Sequence, residues 1–223
     1  MNIFEEGSAF QVFLNKMTDL LILNLITLLL CLPVITAGAA LTAMHYVLLK
    51  MVRGEEGYIV KSFFRAFKRE FRQATVMWIV FMALAALMFS TLVMVLQGGG
   101  NYPLWLPSSI LVVAVIELMC MIYAFAMQSR FDNSVYHTII NAVTLTFTEL
   151  LSSLKMAVIT LIPVIAVIFA GVLLPLLILF GLSVPGYACA MIYDPIFKKI
   201  EKQIWEEENS EDPEESGGDY GQY

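Results

Sequence analysis

Long apolar segments recur along this chain, and each is about as long as a membrane-spanning helix. Five to six such segments follow one another in 223 residues, and a helix needs about 20 apolar residues to cross a bilayer. The composition agrees, because 59% of the residues are hydrophobic and 14% are charged, against about 25% charged residues in a soluble domain. The mean hydropathy is +0.78. We therefore predict an all-α, polytopic transmembrane helical bundle with about six helices, five being the alternative.

Acidic residues are concentrated at the end of the chain. The net charge is −6, but eight of the 19 acids follow Trp205 and no Lys or Arg accompanies them. The rest of the chain is mildly basic. A segment rich in Glu, Asp, Gly and Ser buries too little apolar surface to fold. We predict a single transmembrane domain over residues 1–205 and a disordered acidic tail over residues 206–223, with solubility as its expected role.

A proline interrupts the first apolar stretch. One helix is predicted over residues 8–32, and Pro33 ends it because proline has no amide hydrogen to donate. A second apolar helix follows over about residues 39–52, which rise only about 21 Å against a hydrocarbon core of about 30 Å. Residues 19–52 therefore form either a hairpin of two spans or one kinked span. We favour the hairpin, because it keeps the N-terminus in the cytoplasm.

A basic amphipathic segment follows the second helix. Over residues 58–72, aromatic side chains recur at helical spacing and cations occupy another face. The cations are Lys61, Arg65, Lys68, Arg69 and Arg72. Seven Lys and Arg residues lie between Lys50 and Arg72, so the positive-inside rule places this connection in the cytoplasm. We expect the helix to lie flat on the anionic inner leaflet as a surface for lipid or for a partner.

The remaining chain continues to alternate between apolar and polar segments. Spans are predicted over residues 73–96 and 104–127, with an uncharged external loop between them. A second, less charged amphipathic helix is predicted over residues 133–153, followed by spans over residues 156–174 and 176–193. The two amphipathic helices are the cytoplasmic connections. The result is a multi-pass protein of the cell membrane with its N- and C-termini in the cytoplasm.

One carboxyl group is predicted to lie at bilayer depth. Glu117 is near the middle of the 104–127 span, where a charged side chain costs roughly 2.5 kcal/mol or more, and such residues are candidates for function. His45 and Asn24 are its candidate polar companions on the first two helices. The functional interpretation is a proton or substrate site. The alternative, which we favour, is an interhelical hydrogen bond that fixes the packing.

Motifs for catalysis, nucleotide binding and metal binding are absent from the sequence. It has no GxxxxGK[ST] phosphate loop and no GxSxG or HExxH motif. The three cysteines lie in apolar segments and are expected to be small core residues, and the two histidines lack the spacing of a zinc site. We therefore expect no enzymatic activity, no catalytic residues, no cofactor and no metal. Phenylalanines and cations beside the spans indicate lipid headgroups rather than nucleic acid.

Two motifs in the first third of the chain are specific as a pair. One is the turn Leu32-Pro-Val-Ile-Thr-Ala-Gly38, and the other is the helix Ser62-Phe-Phe-Arg-Ala-Phe-Lys-Arg-Glu-Phe-Arg-Gln73. Together they resemble the YesL-like family of Gram-positive bacterial integral membrane proteins, over about residues 1–80 and compatibly to about residue 200. Genes of that family are often found beside sugar ABC permeases. The resemblance implies an accessory role in carbohydrate uptake, with permease subunits as partners, and supplies no catalytic residues. The rival hypothesis is a small secondary transporter or channel that uses Glu117.

Overall fold

A computed structural model describes residues 9–55, 57–98, 102–103, 105–169, 171 and 174–211. It is 92% helical, and the described residues contain no strand. In chain order the elements are α1 (Ala9–Cys31), a single 3-10 turn (Val34–Thr36), α2 (Ala37–Arg53), α3 (Ile59–Gln97), α4 (Trp105–Arg130), α5 (Val135–Thr148), α6 (Leu150–Phe169), α7 (Leu174–Phe180) and α8 (Ser183–Glu211). This confirms the predicted all-α polytopic bundle.

The number of helices able to cross a membrane also agrees with the prediction. Within the described ranges, α1, α2, α3, α4 and α6 are each long and apolar enough to span a bilayer. The short α7 and most of α8, Ser183–Glu207, pass the same test together, as one span bent by 49°. Five or six spans therefore follow, as the apolar segments of the sequence predict.

The break between α1 and α2 lies at Pro33. α1 ends at Cys31, and the hydroxyl of Thr36 then donates to the carbonyl oxygens of Leu30 and Pro33 at 2.5 and 2.8 Å. With the 3-10 turn, the second candidate span covers 20 residues, Val34–Arg53, which is longer than the sequence indicated. α1 packs against α2. The structure thus contains two separate helices here, as the hairpin interpretation predicts.

α2 lies at the centre of the bundle. Twelve of its 17 residues are buried, and it packs against α1, α3, α4 and α8. Small residues allow this, because helices in a membrane approach closely only where side chains are small. A Cβ atom added to Gly38 would lie 2.5 Å from Trp78 Cβ and 2.6 Å from the carbonyl oxygen of Ala74. Glycine is therefore required where α2 meets α3.

α3 differs from the prediction of a separate, flat basic helix. The basic segment is the first part of one unbroken helix of 39 residues, which rises about 58 Å against a hydrocarbon core of about 30 Å. The physical reason is that no Gly or Pro occurs between Ile59 and Gln97, so nothing terminates the helix where the charges give way to apolar residues. Because the helix is unbroken, its basic part continues in line with its apolar part instead of forming a separate helix that lies across it.

α5 is the second amphipathic helix, and a stripe of small residues on it faces inward. Thr138, Ala142 and Thr146 are buried, whereas Val143 and Phe147 are 39% and 58% exposed. This arrangement is typical of helices beside a membrane, where small residues meet the other helices and larger apolar residues face outward.

α8 extends beyond the predicted end of the transmembrane domain. Residues 206–211, which the sequence analysis assigned to the disordered tail, belong to this helix. The rest of the tail, residues 212–223, lies outside the described residues. The division at residue 205 into a domain and a tail otherwise remains a prediction.

Candidate functional site

Asn24 lies on α1 and bonds to the break between α7 and α8. Its Nδ2 donates to the carbonyl oxygen of Ile178 at 2.8 Å, and its Oδ1 accepts from the backbone amides of Leu182 and Ser183, both at 2.9 Å. The side chain is fully buried. Backbone groups at a helix break have no partner within the helix, and in a membrane they need one from another element. The geometry gives Asn24 this structural role.

His45 bonds to a different element. It is buried in α2, and its Nδ1 lies 3.2 Å from the hydroxyl oxygen of Tyr193 on α8. The two rings also contact each other, with centroids 5.9 Å apart. This contact joins α2 to α8 and involves no other polar member of the predicted intramembrane site.

Glu117 is half-buried on α4, just before the buried part of that helix begins at Met119. Its Oε1 is buried and has no hydrogen-bond partner among the residues that the structure describes. No hydrogen bond in that part of the chain joins Glu117 to Asn24 or His45. The structure therefore connects two of the three predicted residues to α7 and α8 and leaves the carboxyl oxygen of the third unsatisfied.

An ion-pair cluster joins the C-terminal ends of α2 and α4 to the middle of α8. Arg53 Nε lies 2.6 Å from Asp194 Oδ1, and both side chains are less than a tenth exposed. The remaining nitrogens of Arg53 contact the two oxygens of Glu201 at 3.0 and 3.2 Å. Arg130 Nε lies 2.7 Å from Glu201 Oε1, and Lys198 Nζ lies 2.7 Å from Asp194 Oδ2. This cluster fixes the ends of α2 and α4 relative to the middle of α8.

This cluster was not predicted from the sequence. The available signal was an acid inside an apolar segment of α8 together with an arginine in the last turn of α2. Charges at bilayer depth usually pair with each other, but the sequence does not show which helices are neighbours.

A polar network connects α3 with α4 and α5. The side-chain amide of Gln128 donates to Glu70 Oε2 at 2.8 Å and to Gln73 Oε1 at 2.7 Å, and it accepts from the hydroxyl of Thr138 at 3.2 Å. Arg69 pairs with Glu70 through its Nε. A polar cleft of ≈ 360 Å³ opens beside the network. Most of its polar groups already bond to one another, which favours a role in packing.

The exposed surface at the start of α3 combines positive charge with aromatic rings. We call its five exposed cations the basic face: Lys61, Arg65, Lys68, Arg69 and Arg72. Beside them lies the aromatic edge, Phe64, Phe67 and Phe71, of which Phe64 and Phe71 are 41% and 39% exposed. Phe67 and Phe71 contact each other with ring centroids 5.5 Å apart.

One aromatic residue of this segment faces inward. Phe63 is fully buried against the rest of the bundle, so it anchors the basic part of α3 instead of meeting lipid. Arg69 is also tied back to the bundle, because it lies 5.4 Å from the ring of Tyr46 and donates to the carbonyl oxygen of Ser129 at 3.1 Å. The start of α3 is thus fixed to the bundle, while the basic face and the aromatic edge on its outer side remain exposed.

In the part of the chain that the structure describes, no group of three or more His, Cys, Asp or Glu side chains is placed to hold a metal ion. The three cysteines are free thiols in α1, α4 and α8, two of them buried.

The apolar helices, the small residues at the helix contacts and the internally bonded polar groups define an α-helical, multi-pass membrane protein. Residues 20–92 match a family model described as "Protein of unknown function, DUF624". The matched segment covers the second part of α1, all of α2 and most of α3. Searches of curated proteins and of solved structures find no match.

Proposed function

We propose that this protein is a non-enzymatic accessory component of carbohydrate ABC-type uptake in the cell membrane, with both termini in the cytoplasm. Two lines of sequence evidence support the proposal. The motifs that resemble the YesL-like family lie within the segment that matches the DUF624 model, and YesL is known as a DUF624 family. Genes of YesL-like proteins are often found beside sugar ABC permeases, which makes permease subunits the partners to test.

The observation that carries the proposal is the basic face with its aromatic edge. Exposed aromatic rings beside cations suit a contact with another protein or with anionic lipid headgroups. The surface belongs to a helix whose inner side is anchored by Phe63, so little order is lost when a partner binds. The partners that follow are permease subunits and the anionic lipids of the inner leaflet, and nucleic acid is not among them.

Neutralising the basic face is expected to weaken capture of the permease. In the triple variant Lys61→Gln, Arg65→Gln and Lys68→Gln, recovery of permease subunits with the tagged protein from native membranes should fall about tenfold, which corresponds to about 1.4 kcal/mol. The reason is the loss of three exposed charges and of the electrostatic steering they provide. Quantitative mass spectrometry of the captured subunits measures the effect.

A matched control removes three exposed cations elsewhere. The variant Lys155→Gln, Lys199→Gln and Lys202→Gln changes the net charge equally on α6 and α8 and should retain the permease subunits. Equal losses in both variants would indicate a general charge effect and contradict a specific surface. If no sugar permease subunit is captured even with the unaltered protein, the accessory function is wrong.

A second candidate function is supported by Glu117. A buried carboxyl oxygen without a hydrogen-bond partner is costly in a membrane, and such residues often mark substrate or proton pathways. In that case the protein alone is a small secondary transporter or channel, and substrate or protons use this carboxyl group.

Flux measurements in liposomes test this second function. The purified protein alone should move protons or sugar, and Glu117→Gln should abolish the flux because glutamine has the same size and no proton to exchange. Glu149→Gln, a change in the connection between α5 and α6, should leave the flux intact. Absence of flux with the unaltered protein contradicts the transporter and is the result that the accessory function requires.

A further inference from the structure

We propose that the acidic end of this same chain, residues 211–223, docks on the basic face of α3. The contact would be an internal cover for that surface. It does not depend on a role in carbohydrate uptake, because it involves two segments of one chain.

The first support is that the last part of α8 and the basic face lie at the same end of the bundle. Glu201 on α8 pairs with Arg53 at the end of α2 and with Arg130 at the end of α4. Arg69 of the basic face donates to the carbonyl oxygen of Ser129, the residue before Arg130. The path from α8 to the basic face therefore passes through one ion pair, one peptide unit and one hydrogen bond.

The second support is reach. α8 ends at Glu211, ten residues beyond Glu201, which carries the chain about 15 Å further along the helix axis. Pro213 follows two residues later and disfavours continuation of the helix. Residues 212–223 span up to about 40 Å when extended, and the basic face from Lys61 to Arg72 is only about 17 Å long. The segment is long enough to turn back and follow α3.

The third support is charge complementarity. Residues 211–223 contain five acids and no Lys or Arg. These acids are Glu211, Asp212, Glu214, Glu215 and Asp219. The basic face contains five cations, and within the described residues its ion pairs are limited to that between Arg69 and Glu70. Tyr220 and Tyr223 can also meet the aromatic edge. In such a contact the five acids of the tail and the five cations of the basic face neutralise each other.

The consequence is competition for one surface. Anionic lipid and any acidic partner must displace the tail before they reach the basic face. The tail therefore raises the density of anionic lipid, or the concentration of an acidic partner, that is needed to occupy the basic face. It thereby has a function beyond solubility.

Photo-crosslinking of the full chain tests the proposal. A photoreactive benzoylphenylalanine replaces Phe64 on the aromatic edge, and the protein is placed as a single copy in a nanodisc of neutral phosphatidylcholine. Trypsin releases residues 203–223 as one peptide, because no Lys or Arg follows Lys202. We expect this peptide as the main crosslinked product at low salt. Its yield should fall about fivefold or more between about 0.1 M and about 1 M salt, where the Debye length shrinks from ≈ 10 Å to 3 Å.

Two controls make the result specific. The same photoreactive residue in place of Phe89, which is 69% exposed in the apolar part of α3, should give no crosslink to the tail peptide. Changing Glu211, Glu214 and Glu215 to Gln should reduce the crosslink at Phe64 while leaving the bundle folded, because these residues lie at or beyond the end of α8. Absence of the tail crosslink at low salt, or a yield that neither salt nor these changes alter, overturns the proposal.

Discussion

Replacing Arg53 with Gln should lower the free energy of unfolding by about 3–5 kcal/mol, because breaking a buried ion pair leaves an uncompensated charge. Asp194 would keep only Lys198, which is far more exposed than Arg53. Glu201 would lose two of its three short contacts. Equilibrium unfolding of the purified protein in mixed micelles with increasing dodecyl sulfate measures the change.

Two further variants separate the ion pair from a general effect of charge. Arg72→Gln removes an exposed arginine of α3 and should change the free energy of unfolding by no more than about 0.5 kcal/mol. The double variant Arg53→Gln with Asp194→Asn should recover part of the loss, since neither partner is then left charged and alone. If Arg53→Gln unfolds at the same dodecyl sulfate concentration as the unaltered protein, the cluster does not stabilise the bundle.

Replacing Asn24 with Leu should lower the free energy of unfolding by about 2–3 kcal/mol. Leucine has a similar size but forms no hydrogen bonds, so the three bonds to the break between α7 and α8 are lost. Side-chain hydrogen bonds in membrane proteins average about 0.6 kcal/mol, and a buried backbone group left unpaired costs about 1–3 kcal/mol. The same unfolding titration measures the loss.

Asn141→Leu is the matched control for this second prediction. Asn141 lies on the exposed side of α5, where the same substitution should change stability by less than about 0.5 kcal/mol. Equal effects at both positions would mean that the result reflects the substitution rather than the break. An Asn24→Leu protein as stable as the unaltered one would show that the backbone at the break finds other partners.

The fold was predictable from sequence where local chemistry decides it. Hydropathy alone locates the spans, since lipid and water favour opposite residue types. Pro33 marks the break between α1 and α2 because proline cannot donate a helical hydrogen bond. The continuity of α3 was missed because a change from charged to apolar residues suggested a boundary. A helix ends only where a residue or a contact ends it, and Gln73, Ala74 and Thr75 provide no such signal.

The candidate sites were less predictable, because their members are distant in sequence. Asn24 and His45 were grouped with Glu117 on the basis of depth in the membrane. The structure instead pairs His45 with Tyr193, which lies 148 positions away, and Asn24 with a carbonyl 154 positions away. The depth of a residue in the membrane can be predicted from hydropathy. Which residues contact one another depends on how all the helices pack together. The basic face was found because its pattern is contained within a few turns of one helix.

Because α3 is unbroken, its two ends move together. The basic face lies towards one end, and the apolar part that ends at Gln97 forms the other. A tilt of about 10° around the middle of a helix about 58 Å long would move each end by about 5 Å, in opposite directions. Whatever pulls on the cations, whether lipid, a partner or the acidic tail, would therefore shift the far end of α3 as well. A chain without a nucleotide-binding motif could in this way transmit movement from one side of the membrane to the other.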